Sequence, residues 1–258
     1  MRRPQDFATS SAVLRATAYL VALVLLTLFF GGRVIVAALL GVKNRRGGLY
    51  DRTGRVWARL VLSVAGVRVD TEGFEHIPPG EPVVYVSNHQ SFFDILALAA
   101  VLPDTFRFVA KKELAKIPVF GRALKAAGHI YIDRQRRQAA FESYEKAASV
   151  IRGGMSALVF AEGTRSRTGN LLPFKKGPFV LAIAAQVPVI PVYCANTFHI
   201  LPKGHFRIRP RPVTLYFGEP IPTAGMDYED RTRLLNQVRS VIEGFRDDWS
   251  RRSPQVEG

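Results

Sequence analysis

The chain has 258 residues, 48% hydrophobic and 22% charged, which supplies a core for one large domain or a domain with an extension. Its formal net charge of +15 points to an anionic partner: nucleic acid, anionic lipid or a phosphorylated substrate. The single cysteine, Cys194, excludes an internal disulfide framework and, within the strand-like Pro191-Val192-Tyr193-Cys194, reads as a small core residue rather than a nucleophile.

Arg2 and Arg3 lead into residues 16–32, which carry no charge. That length is at the lower limit for crossing a bilayer. Gly31-Gly32-Arg33 is expected to break the segment, and residues 34–42 form a second apolar run, too short to span. Basic residues flank both ends: Arg2, Arg3 and Arg15 on one side, then Arg33, Lys43, Arg45, Arg46, Arg52, Arg55 and Arg59, against only Asp6 and Asp51. Positive charge on both flanks suits a segment whose two ends stay on the cytoplasmic side. The expectation is a hydrophobic hairpin in one leaflet; a single span and a cleaved signal peptide are the alternatives. Next, Val56, Leu60 and Val64 recur at helical spacing, with Trp57, Val61 and Ala65 beside them. That helix either lies on the membrane surface or packs on the core with a solvated basic face.

From residue 67 the pattern alternates. Strands are expected at 67–71, 83–87, 106–110, 130–132, 156–160, 189–193 and 213–217. Helices are expected at 95–101, up to 127 before the stop Gly128, at 139–152 before Gly153-Gly154, at 179–186 behind Pro178, and at 227–249. Such alternation predicts an α/β fold, a single domain with a central, largely parallel mixed sheet flanked by helices. The layout is an N-terminal membrane-associated hairpin and amphipathic segment (1–66), the α/β domain (67–250) and a disordered tail (251–258).

Asn88-His89-Gln90-Ser91-Phe92-Phe93-Asp94 sits on a strand-to-helix turn. Five residues along a helix turn through about 140°, so His89 and Asp94 would not share a face of one helix. They meet only if His89 lies before the helix. With Ser91 as N-cap, Asp94 falls in the first turn, where it can hydrogen-bond the imidazole and leave the other ring nitrogen as a general base. Ser91-x-x-Asp94 is equally a near match to a capping box, which would make Asp94 a cap and His89 a loop residue.

Three further stretches follow or include strands. Lys111-Lys112-Glu113-Leu114 puts a cation at a strand end. Gly128-His129-Ile130-Tyr131-Ile132-Asp133-Arg134 offers Arg134, which either reaches an anion or pairs with Asp133. In Phe160-Ala161-Glu162-Gly163-Thr164-Arg165-Ser166, Gly163 permits a tight loop with N–H groups facing an anion, Thr164 adds a hydroxyl, Arg165 supplies a bidentate fork, and Glu162 is positioned to hold that guanidinium. If the strands are parallel, all four stretches share one edge of the sheet. The sequence contains no G-x-S-x-G, G-x-G-x-x-G, Walker loop, C-x-x-C or H-E-x-x-H, and its five histidines show no metal spacing.

Asn88-His89-x-Ser91-x-x-Asp94, Gly128-x-Ile130-Tyr131-Ile132-Asp133-Arg134, Glu162-Gly163-Thr164-Arg165-Ser166 and Val187-Pro188-Val189-Ile190-Pro191 occur in the order of the four blocks of the glycerolipid acyltransferases. Leu172-Pro173-Phe174-Lys175-Lys176-Gly177 and Lys111-Lys112-Glu113-Leu114 resemble the bacterial 1-acylglycerol-3-phosphate (lysophosphatidic acid) acyltransferase branch, over residues 67–217. One departure is Ala161, where that branch has proline.

The resemblance implies transfer of an acyl chain from acyl-CoA or acyl-ACP to the free sn-2 hydroxyl of 1-acylglycerol-3-phosphate. His89 would be the base and Asp94 its partner. Lys111, Glu162, Gly163, Thr164 and Arg165 would form the phosphate site, with Asn88, Ser91 and Arg134 supporting. No cofactor or metal is expected beyond the thioester co-substrate. The expected partners are the lipid substrate, the acyl carrier and an anionic membrane surface, at the cytoplasmic face of the cell membrane. Another lysolipid acceptor, such as a lyso-aminolipid, is the alternative; a silent membrane-binding protein and a nucleic-acid binder are the rivals from other classes. Much of the positive charge flanks apolar segments rather than interleaving with exposed aromatics, which speaks against nucleic acid.

Overall fold

The computed structural model describes residues 4–103, 105–132 and 137–253, with residues 4–15 and 137–142 as backbone. Among these, strands β1 (Val69–Glu72), β2 (Val84–Ser87), β3 (Phe106–Lys111), β4 (Ile130–Ile132), β5 (Ser156–Phe160), β6 (Val189–Ala195) and β7 (Val213–Phe217) form one sheet in the order β1-β7-β6-β2-β5-β3-β4. β2 pairs in parallel with β5 and β6, and β3 in parallel with β5 and β4. β7 is antiparallel to β6, and β1 runs parallel to β7. The sheet is therefore mixed and mostly parallel, as the alternation predicts. Both of its faces are covered, which is why β2, β5 and β6 are buried along their whole length and read as unbroken apolar runs.

The strand pleat divides the core. Tyr85, Leu158, Ile190 and Val192 face helices α2 (Leu49–Val64) and α3 (Phe92–Val101). Val84, Val86, Val159 and Tyr193 face α5 (Arg137–Arg152), α6 (Gly177–Ala185) and α8 (Arg231–Arg252). α4 (Phe120–Ala126) lies between β3 and β4 in sequence, and the single-turn α7 (Thr197–Ile200) follows β6. α8 reaches Arg252, which pairs with Glu72 at 2.9 Å, so Arg251 and Arg252 belong to the helix rather than to a tail. Ser253 caps the helix, its N–H donating to the Trp249 carbonyl, and residues 254–258 lie outside the described residues.

The N-terminal segment departs from the expected hairpin. α1 is one helix, Pro4–Leu39, that runs through Gly31-Gly32 without a break; the chain turns later, at residues 41–48. The glycine is explained by packing. A Cβ at Gly31 would stand 2.8 Å from the Cγ1 of Val119, just before α4, so the missing side chain lets α4 press against α1. Ala16–Leu39 is long and apolar enough to cross a membrane.

α2 packs on the core, one of the two settings expected for it. Ala58, Val61 and Leu62 are buried against the sheet, while Val56, Leu60 and Val64 are 40–53% exposed. Its arginines do not merely face solvent. Arg55 donates to the carbonyls of Leu102 and Pro103, and Arg59 to that of Ala100, which satisfies carbonyl groups at the end of α3. The α1–α2 turn is fixed by a buried ion pair, Arg107 to Asp51 at 2.7 Å, with Asn44 and Thr105 as further partners.

Candidate active site

β2, β3, β4 and β5 run parallel, so the stretches that follow them emerge at one edge of the sheet. Ser87 is in register with both Phe160 and Val192, which places the chain after β2 between the end of β5 and the second half of β6. Asn88 then clamps the central strands. Its Oδ1 accepts from the Cys194 N–H at 2.7 Å and its Nδ2 donates to the Cys194 carbonyl at 3.2 Å, extending the ladder with a side chain. Cys194 is buried beneath it.

The turn into α3 satisfies both readings of the His-x4-Asp spacing at once. Ser91 is the N-cap, its hydroxyl accepting from the Phe93 N–H, and Asp94 completes a capping box. The same Asp94 Oδ2 accepts from the N–H groups of Gln90 (2.7 Å) and Ser91 (2.8 Å) and from His89 Nδ1 (2.8 Å). A carboxylate that holds two backbone donors cannot swing away, so the imidazole it binds is fixed too. With the Nδ1 proton committed to Asp94, Nε2 is the basic nitrogen. The ring also lies nearly flat on Phe160, with centroids 3.9 Å apart and planes 14° off parallel. Ser91 Oγ in turn donates to the Leu201 carbonyl at 2.9 Å.

Glu162 corrects the expectation from sequence. It does not hold Arg165. Its carboxylate is buried and accepts from the N–H groups of His89 (2.9 Å) and Leu172 (3.1 Å). A carboxylate aimed at the anion would repel it; this one is turned under the loop, where it bridges the two loops that follow β2 and β5. Burial pushes its carboxyl up to about 7; the Asp94 charge adds to the push, while the two N–H donors and Arg239 oppose it.

A cavity of about 690 Å³ has His89 and Phe160 in its wall. At one rim stand Lys111, Gly163, Thr164 and Arg165. They are joined by Lys203, which sequence reasoning missed: it donates to Thr164 Oγ1 at 2.9 Å. Nothing in its local pattern marked it, because it comes from a loop 39 residues away that only the fold brings back. The rest of the wall is largely apolar, drawn from α1 (Leu23, Phe30), α3 (Phe92, Ile95), β3 (Phe106, Phe108) and Phe120. His129 also lines it, accepting from the Phe108 N–H through Nδ1 at 3.0 Å. Burial and the Arg107 guanidinium pull its imidazole down to about 3, against the Asp51 charge, so it is neutral. Arg134 and Asp133 lie outside the described residues.

The N–H groups of His89, Gln90 and Ser91 are all spent on carboxylates. They are not free to donate to a bound anion.

Residues 68–195 match the family model described as Acyltransferase. The chain is 33% identical over 198 residues to a 1-acyl-sn-glycerol-3-phosphate acyltransferase of Cocos nucifera, covering 76% of this chain and 63% of that protein. It is 38% identical over 184 residues to the human 1-acyl-sn-glycerol-3-phosphate acyltransferase alpha (70% and 65%), and 37% identical over 205 residues to that of Limnanthes douglasii (78% and 71%). It thus spans somewhat under two thirds of the coconut and human proteins. The crystal structure of the 1-acyl-sn-glycerophosphate (LPA) acyltransferase PlsC from Thermotoga maritima superposes with a TM-score of 0.80 at 26% identity, covering 94% of this chain and 97% of that one. This chain belongs to the acyltransferase family of which these 1-acyl-sn-glycerol-3-phosphate acyltransferases are members.

Proposed function

We propose that the protein transfers a fatty acyl chain from a thioester, of coenzyme A or of acyl carrier protein, to the free sn-2 hydroxyl of 1-acylglycerol-3-phosphate, giving phosphatidic acid. The observation that carries this is a His/Asp pair at hydrogen-bond distance in the wall of an apolar cavity whose rim is cationic. His89 Nε2 takes the hydroxyl proton as the oxygen attacks the thioester carbonyl, and Asp94 stabilises the imidazolium. Collapse of the tetrahedral intermediate expels the thiolate, which receives the proton back from His89. Lys111, Thr164, Arg165 and Lys203 hold the acceptor's phosphate, and Gly163 lets the loop approach it. Asn88, Ser91 and Glu162 fix the backbone that carries His89. The apolar wall takes a fatty chain; holding both substrates against one base supplies much of the rate. The thioester is a co-substrate, and no step calls for a cofactor. α1 serves as the anchor, with the site at the cytoplasmic face.

The test is acyl transfer by the full chain in lipid, offering palmitoyl-CoA with lysophosphatidic acid and, in parallel, with other lysolipids. Phosphatidic acid is expected from the wild type, and a loss of about 10²–10⁴-fold in His89→Ala. A preference for another lysolipid would overturn the acceptor and leave the dyad; silence with every acceptor and both carriers would overturn the reading.

A further inference from the structure

Beyond Lys203, the loop joining α7 to β7 carries no role in the reaction as described, yet it has an unusual surface. Its sequence from Lys203 is Lys-Gly-His-Phe-Arg-Ile-Arg-Pro-Arg, and no Asp or Glu occurs anywhere between Glu162 and Glu219. Phe206 is 77% exposed, whereas Ile208, two residues on, packs against the core. The loop is also closed at its base. The Arg209 N–H donates to the Ile200 carbonyl at 3.0 Å, and the His205 N–H to that of Pro202 at 3.1 Å. Phe206 is therefore held outward by a stapled loop rather than waved on a free one.

Its position is fixed relative to the site. Lys203 bonds Thr164 at the cavity rim, and Phe206, three residues on, lies within about 11 Å of the Lys203 backbone, in the same loop as that rim residue. Ile117 lies in the cavity wall, is 43% exposed, and follows Lys111, Lys112 and Lys116 in the chain. Two segments of the cavity wall and rim thus carry the same combination of an exposed apolar side chain among cations. An apolar side chain ringed by cations fits the boundary between headgroups and acyl chains of an anionic bilayer. A bilayer answers both features at once, with anionic headgroups for the cations and acyl chains for the phenyl ring.

We propose that the 203–211 loop is a second membrane contact, separate from α1, in which Phe206 enters the acyl layer while Arg207, Arg209 and Arg211 meet anionic headgroups. It rests on the lipid-facing reading of the cavity. It adds that the loop seats the rim on the bilayer, so that an acceptor lipid enters from the membrane.

The experiment uses the full chain in nanodiscs. Cys194 is buried, so in Phe206→Cys a polarity-sensitive thiol label goes to position 206. A matching label at Tyr228→Cys, on the exposed turn before α8, is the control. In discs of phosphatidylglycerol and phosphatidylcholine the label at 206 is expected to shift blue and to be quenched by lipids brominated in the upper acyl chain, and the label at 228 is not. Unquenched emission at 206, or equal quenching at both positions, overturns the proposal. So does a blue shift that appears only on adding acyl carrier protein, which would make the loop a protein-docking surface. Palmitoyl transfer to lysophosphatidic acid by the Tyr228→Cys protein tests the enzymatic reading separately.

Discussion

Asp94 Oδ2 accepts three hydrogen bonds, two from backbone and one from His89. Substitution there separates architecture from chemistry. Asp94→Ala leaves two buried N–H groups without an acceptor, at a cost of about 1–3 kcal/mol each, and is expected to lower the urea midpoint as well as activity. Asp94→Asn keeps an amide oxygen for the backbone but no charge for the imidazolium. It is expected to fold with a smaller loss of stability and to drop kcat on the order of 10³-fold or more. If the two variants lost stability equally, the capping role assigned to the carboxylate would be wrong. Glu162 supplies a pH signature. Its folded pKa of about 7 lies above the unfolded value near 4.5, so the folded state binds the extra proton. The associated stability is fully present below about 4.5 and is lost as pH rises to 7 and beyond. The total is on the order of 3 kcal/mol. Relative to Glu162→Gln, the wild type is expected to gain stability between pH 8 and pH 5, measured by urea unfolding in detergent at each pH. A flat difference would show that the buried carboxyl titrates normally.

The elements that were legible in the sequence are those whose burial is extreme. β2, β5 and β6 are buried on both faces and so appear as apolar runs, and the turns after β2 and β5 carry the polar motifs because strand ends at one sheet edge are where backbone can meet a ligand. Other features were not legible. A glycine pair normally reads as a break, but Gly31 is a notch for Val119, and only the docking of α4 shows it. Glu162 beside Arg165 reads as an ion pair, but the carboxylate's partners are the N–H of His89 in the loop after β2 and that of Leu172 farther along its own loop. The latch between the α1–α2 turn and β3 was equally hidden, since Asp51 and Arg107 lie 56 residues apart. Arg107 is 2% exposed and bonds Asp51, Asn44 and the Phe106 carbonyl. Removing one partner of a buried pair strands the other, so Arg107→Ala is expected to cost about 3–5 kcal/mol. The loss should appear first as faster hydrogen exchange in residues 41–48 and the start of α2. His129 adds acid sensitivity to the same region. Its folded pKa of about 3 lies below the ordinary 6.5, so the stability it contributes is present above 6.5 and lost as pH falls toward 3, opposite in sign to Glu162.

At the scale of the molecule, α1 is both the candidate anchor and a wall of the cavity, and its two faces make these roles separable. Leu25 and Phe29 are 60% and 66% exposed, while Leu23 and Phe30 line the cavity. A charge placed in a bilayer-facing position costs about 2.5–3.5 kcal/mol near the centre of a span. Leu25→Glu with Phe29→Glu is therefore expected to move a large fraction of the protein out of the membrane pellet. In detergent micelles, where no bilayer is needed, its kcat should stay within about twofold, because neither side chain reaches His89. Leu23→Ala with Phe30→Ala should do the reverse. The pair leaves the outer face intact, so the protein stays in the pellet, but it enlarges the cavity and weakens the hold on the acyl chain. KM for palmitoyl-CoA is expected to rise more than kcat falls, since the lost contacts are made in the ground state as well as in the transition state. Partition and micellar kinetics measured on both double variants decide the matter. If the outward-facing pair lost micellar activity as severely as the inward-facing pair, α1 would act as one structural unit, and anchoring could not be divided from substrate binding along it.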